Sequence, residues 1–113
     1  MIELTLAMAE RATRAAREKA DALGTPMTIT VVDEAGRLVL CSRGDGTGFF
    51  TPETSRAKAM AAASFRMSTA DLAERVAKGA PFWTYVGSAL SGQVLPSHGA
   101  VPIVVKGRVI GAI

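Results

Sequence analysis

The chain changes its hydrophobic period once, sharply, across Gly24-Thr25-Pro26, and that change confines it to folds joining a helix to a β-hairpin. From Glu3 to Leu23 the residues Leu4, Met8, Ala12, Ala15, Ala16 and Leu23 recur at helical spacing, with charges on the other side. Gly24 suits the left-handed conformation that ends a helix, and Pro26 blocks its continuation. Beyond it Met27, Ile29 and Val31 alternate with Thr28, Thr30 and Val32, a β-branched run of period two. Asp33-Glu34-Ala35-Gly36 carries turn chemistry, and Arg37 to Arg43 returns as the partner strand. So short a connection leaves only antiparallel pairing.

Downstream, Gly44-Asp45-Gly46-Thr47-Gly48 reads as a loop and Thr51-Pro52-Glu53 as a helix start, with Thr51 as N-cap and the helix running to about Phe65. Ser68 with Asp71 three residues on predicts a second, short helix to Ala77, closed by Gly79 and Pro81. Residues 82–92 read as a short helix or turn. Val101 to Val105, Lys106-Gly107 and Arg108 to Ile113 predict a second hairpin, and one more short strand is expected near Gln93 to Leu95. The order is an α+β architecture, an antiparallel sheet of about five strands with helices packed on it.

Length and charge narrow the function. A chain of 113 residues is one domain with one layered core, and 49% apolar content excludes disorder. Much of that content is alanine, which lets helix backbones approach closely. The net charge of +3 is mild. The densest basic cluster, Arg11, Arg14, Arg17 and Lys19, is interleaved with Glu10, Glu18 and Asp21; the i,i+4 pairs Glu10/Arg14, Arg14/Glu18 and Arg17/Asp21 predict a solvated face rather than a nucleic-acid surface. No apolar run reaches the roughly 18 residues of a membrane span and no signal peptide is recognisable, so the expected setting is cytoplasmic. Cys41, the one cysteine, lies in an apolar run and is expected to be buried and inert.

Four side chains are candidates for ligand chemistry. Arg43 and Asp45 flank a glycine beside the loop that opens into a helix; they suit either an anion site or a pair that only steadies the loop. Lys58, between Ala57 and Ala59, either snorkels to solvent, the favoured reading, or adds a second cation to that site. His98, the single histidine, suits an axial haem ligand, a general base or an ordinary loop residue. One histidine cannot build a zinc site, and no nucleophile-elbow spacing supports a Ser/His/Asp triad. Tyr85 is an alternative axial oxygen donor, although packing beside Trp83 explains it as well.

The ordered set Val31-Val32-Asp33-Glu34-Ala35-Gly36-Arg37-Leu38, Arg43-Gly44-Asp45-Gly46, Ala57-Lys58-Ala59, Phe65 with Thr69, Pro102-Ile103 and Val109-Ile110-Gly111-Ala112-Ile113 resembles the HbpS-like haem-degrading family, which includes the GlcG proteins and the C-terminal domain of PduO-type corrinoid adenosyltransferases. The resemblance implies a profilin-like α/β/α layout, homo-oligomers from dimers up to octamers, and in some members haem binding. It also implies a single domain over residues 1–113 that lacks the family's last turn and helix. Two positions depart from the family pattern: Ala61 replaces a threonine, and Pro96-Ser97-His98-Gly99 carries histidine in place of a small residue.

The expected ligand is therefore a small molecule, haem or a related tetrapyrrole. Arg43 or Lys58 would pair with its propionates, His98 would serve as axial ligand, and Phe49, Phe50 and Trp83 would cover the ring. An enzyme acting on a small carboxylate, held by Arg43 and served by His98, is the alternative. A non-catalytic assembly module is the third reading.

Overall fold

The computed structural model describes residues 2–113. Helix α1 spans Leu6–Leu23, started by Thr5, whose hydroxyl accepts the Met8 N–H at 3.2 Å, and stopped by Gly24 at φ 69°. The hairpin follows as β1 (Ile29–Asp33) and β2 (Leu38–Ser42). Asp33 builds its turn by accepting the N–H groups of Ala35 and Arg37, each at 2.9 Å, on one carboxylate oxygen. Three helices come next, α2 (Thr51–Phe65), α3 (Thr69–Ala77) and α4 (Pro81–Ala89), and then the second hairpin, β3 (Pro102–Val105) and β4 (Arg108–Ala112).

All strand pairs are antiparallel and the order is β2-β1-β4-β3, so the two hairpins meet through their inner strands. The inner contact is short: β1 opposes β4 only at Val32↔Ala112 and Asp33↔Gly111. Gly111 permits it, because a Cβ there would collide with the Val32 carbonyl oxygen. At the turn end, Arg108 closes the seam with Nη2 at 2.7 and 2.8 Å from the two carboxylate oxygens of Glu34.

Alanine sets the spacing between helix and sheet. Ala59, Ala62 and Ala63 of α2 meet Val32, Ala100 and Ala112 in one buried cluster. Thr30, on the same β1 face as Val32, accepts a hydrogen bond from Ser55 of α2 at 2.8 Å. Ile29 and Val31 point the other way and are also buried, 7% and 0% exposed, on the face that α1 covers. A second cluster joins Ala61, Leu72 and Val94, flanked by Met60, Phe65, Met67 and Trp83. Thr69 ties α3 to the entry of β3: its hydroxyl accepts the Ala100 N–H at 2.9 Å and donates to the Ala100 carbonyl at 3.2 Å.

Several local expectations are corrected. The sheet has four strands; residues 93–95 form none, because Val94 is drawn into the second cluster and the Leu95 N–H donates to the Ala57 carbonyl at 3.1 Å. Phe50, not Thr51, caps α2, since the Thr51 hydroxyl turns back to the Gly48 carbonyl at 2.8 Å. Cys41 is exposed, because β2 is an edge strand covered incompletely. The helical pairs on α1 do not form; Arg108–Glu34 is the single ion pair within 4.0 Å among the described residues. Arg17 instead reaches the sheet, as the α1 register brings it over the start of the hairpin. No described helix is long and apolar enough to cross a membrane.

Candidate functional site

A groove of about 720 Å³ opens between the end of α1, the start of β1 and the start of α2. Its walls come from four places. The end of α1 gives Ala16, Lys19, Ala20 and Leu23, and β1 with the residue before it gives Thr28, Ile29 and Thr30. The start of α2 gives Thr51, Thr54, Ser55 and Lys58, and the far side is His98, Gly99, Val101 and Ile113. Val101 and Ile113 face each other through two main-chain hydrogen bonds of 2.8 and 3.0 Å, which fixes that side as a continuation of the β3–β4 hairpin.

One wall is a row of hydroxyls already engaged with one another. Thr28 lies 2.7 Å from the Thr51 hydroxyl and donates toward Thr47 at 3.2 Å, and Ser55 reaches the Thr28 carbonyl at 3.3 Å. The opposite wall is small and apolar, which lets α1 stay close without filling the space. Lys19, Lys58 and His98 stand around the groove, and no aspartate or glutamate lines it. A groove with two ammonium groups at its margin and no acidic side chain in its walls favours an anion. Lys58 runs past Gly99, where a Cβ would come within 3.3 Å of its chain, so the glycine leaves the lysine room to enter.

Arg43 and Asp45 lie elsewhere. They line a separate depression of about 320 Å³ on the other side of Pro26 and Met27, together with Arg17, Asp21 and Gly44. Arg17 organises it by donating to the carbonyls of Met27 and Ser42 and, at 2.9 Å, to the Ser42 hydroxyl. Gly44 sits so close beneath that a Cβ would strike the Met27 carbonyl oxygen. Two carboxylates, Asp21 and Asp45, share this depression, so it offers an anion far less than the groove does.

The structure thus divides the four sequence candidates, placing Lys58 and His98 in one groove and Arg43 and Asp45 in the other depression. The aromatics divide too. Trp83 packs against Phe65 and Phe82, ring centroids 5.4 and 4.9 Å apart, away from the groove. Tyr85 is 68% exposed on α4, while Phe49 and Phe50 flank Gly48 and Thr51 at the groove with their rings largely in solvent. Lys19 and the hydroxyl row were missed. Lys19 looked like part of a solvated helix face; threonines at 28 and 30, on one face of a buried strand, were the available signal.

The fold and groove define a small α+β domain with a ligand-sized cleft between its helices and its sheet. Residues 4–113 match the family described as haem degrading protein HbpS-like, and the chain belongs to that family. A curated relative, an uncharacterised 15.0 kDa protein from the dhaT-dhaS intergenic region of Citrobacter freundii, is 30% identical over 97% of this chain and 77% of its own length. Among solved structures, HbpS superposes with a TM-score of 0.86 at 31% identity, covering 99% of this chain and 75% of that one. Protein ORFY of Klebsiella pneumoniae gives 0.88 at 25% identity over 99% and 77%. PduOC, solved as a haem complex, gives 0.86 at 27% identity over 98% and 80%.

Proposed function

We propose that this protein binds haem or a related tetrapyrrole in the groove between α1, α2 and the start of β1. The observation that carries the reading is the wall chemistry: apolar Ala16, Ala20, Leu23, Val101 and Ile113 beside Lys19, Lys58 and His98, with no carboxylate among the lining side chains. The volume, about 720 Å³, lies within the range of roughly 300–1,000 Å³ usual for small-molecule sites. The haem complex of PduOC supports the choice of ligand. Lys19 and Lys58 would pair with propionates, and the His98 imidazole is the candidate axial ligand. Bound haem would supply iron redox chemistry; the chain's own part is to hold the carboxylates, exclude water with its apolar walls and present an imidazole. Assembly into a homo-oligomer belongs to the same reading, with Phe82 and Tyr85, 55% and 68% exposed, as surface available for contact.

The test is a hemin titration followed by absorbance, on the parent chain, His98→Ala and Lys58→Gln. A saturable Soret shift that changes character in His98→Ala and weakens several-fold in Lys58→Gln is expected. A saturable band indifferent to both variants would remove the groove from the reading. No saturable band would sink haem for this protein, and thermal stabilisation by small carboxylic acids would then mark the enzyme alternative.

A further inference from the structure

Four ionised side chains line the depression beyond Pro26 and Met27, and none of them pairs with another. Arg17 and Arg43 are cationic and Asp21 and Asp45 anionic, yet no two come within the 4.0 Å of an ion pair. Arg17 has Asp21 one helical turn further on, the spacing at which such pairs form. It turns instead to the Met27 and Ser42 carbonyls and the Ser42 hydroxyl. Asp21 is left in the last turn of α1, where the carbonyl end of the helix disfavours a carboxylate and no basic side chain of that turn offsets it. A carboxylate so placed attracts a cation from outside the chain.

The frame that keeps these groups apart is stiff. Arg17 ties the start of the first hairpin to its end, and Gly44 lies so close to the Met27 carbonyl that a Cβ would not fit, so Arg43 and Asp45 leave from a fixed base. On the helix side, Gly24 and Thr25 donate their N–H groups to the Asp21 and Ala20 carbonyls at 3.0 and 3.1 Å, which fixes the backbone of Asp21. The space is about 320 Å³, at the small end of ligand sites. Its two positive and two negative groups cancel, so neither a plain anion nor a plain cation is favoured. We propose that the depression binds a zwitterion, a free α-amino acid, whose carboxylate takes the Arg43 guanidinium and whose ammonium takes Asp21 and Asp45. The depression shares only Pro26 and Met27 with the groove, so this site goes beyond the haem reading and does not rest on it.

The experiment titrates the isotope-labelled chain with L-serine, L-alanine and L-glutamine in turn, and with the N-acetyl and carboxamide form of each, reading amide shifts by NMR. At least one free amino acid should bind saturably below ~10 mM, moving the amides of Thr25, Gly44 and Asp45 and leaving Lys58 and Gly99 in place. Each capped form retains one of the two charges and should lose binding. Arg43→Gln and Asp21→Asn change exposed side chains, so each should weaken binding several-fold while circular dichroism stays parental. No saturable binding by any of the three, equal binding of an N-acetyl form, or shifts confined to the groove would each overturn the proposal. A hemin titration run with and without the amino acid separates the two sites. Indifference of one ligand to the other is expected, whereas competition would place the amino acid in the groove and overturn a separate site.

Discussion

Replacing Thr69 by valine removes one oxygen from a fully buried place and nothing else of comparable size. Thr69 is 0% exposed, and its hydroxyl both accepts the Ala100 N–H at 2.9 Å and donates to the Ala100 carbonyl at 3.2 Å. The carbonyl keeps a partner, because the Thr69 N–H also donates to it at 2.9 Å. The Ala100 N–H keeps none. Ala100 is itself 4% exposed, so water does not replace the lost acceptor. Stranding a buried donor costs about 1–3 kcal/mol. At about 4 °C per kcal/mol for a domain of this size, melting should fall by ~4–12 °C in circular dichroism. The Ala100 amide should also exchange faster relative to its neighbours, a readout that a general loss of packing would not single out. A valine variant melting within about 1 °C of the parent, with Ala100 exchange unchanged, would refute the accounting.

Two further substitutions test the frame of the site. Arg17→Met keeps the aliphatic stem but removes the bonds to Met27 and Ser42; it should lower stability by about 1.5–3 kcal/mol in urea denaturation, against nearly nothing if Arg17 were only a surface charge. Gly111→Ala drives a methyl into the Val32 carbonyl and must separate β1 from β4; the expected loss exceeds ~2 kcal/mol or abolishes soluble expression, and a variant of parental stability would deny the close contact.

Much of the framework could be read from residues alone because its signals are local. The helix stop at Gly24, the Asp33 turn, the Ser68 cap with its Asp71 N–H at 3.1 Å and the second hairpin each depend on neighbours a few positions away. What escaped depends on distant partners. Arg17 has an acid at i+4, yet two carbonyls and a hydroxyl on the hairpin hold it more closely than a solvent-exposed carboxylate would. Lys58 looked like a snorkelling lysine, and only the passage of residues 98–99 beside α2 directs it into the groove. Arg43 and Asp45 were grouped with Lys58 and His98 through the glycine-rich loop, but Pro26 and Met27 stand between the two depressions. The groove itself has no motif, since its walls are drawn from segments far apart in the chain.

The two-rung seam between β1 and β4 also sets an order of events during synthesis. Val32 and Ala112 are neighbours in space but lie 80 positions apart in the chain, so their meeting closes a long loop. A nascent chain leaving the ribosome can complete α1, the first hairpin and α2 while β1 still presents an open edge. Gly111 and Ala112 arrive only after nearly everything that they join. Contacts this distant in sequence slow folding and lengthen exposure of Val31 and Val32 to other chains. A nascent chain stalled with β4 clear of the exit tunnel should therefore resist protease, and one stalled with β4 still inside it should not.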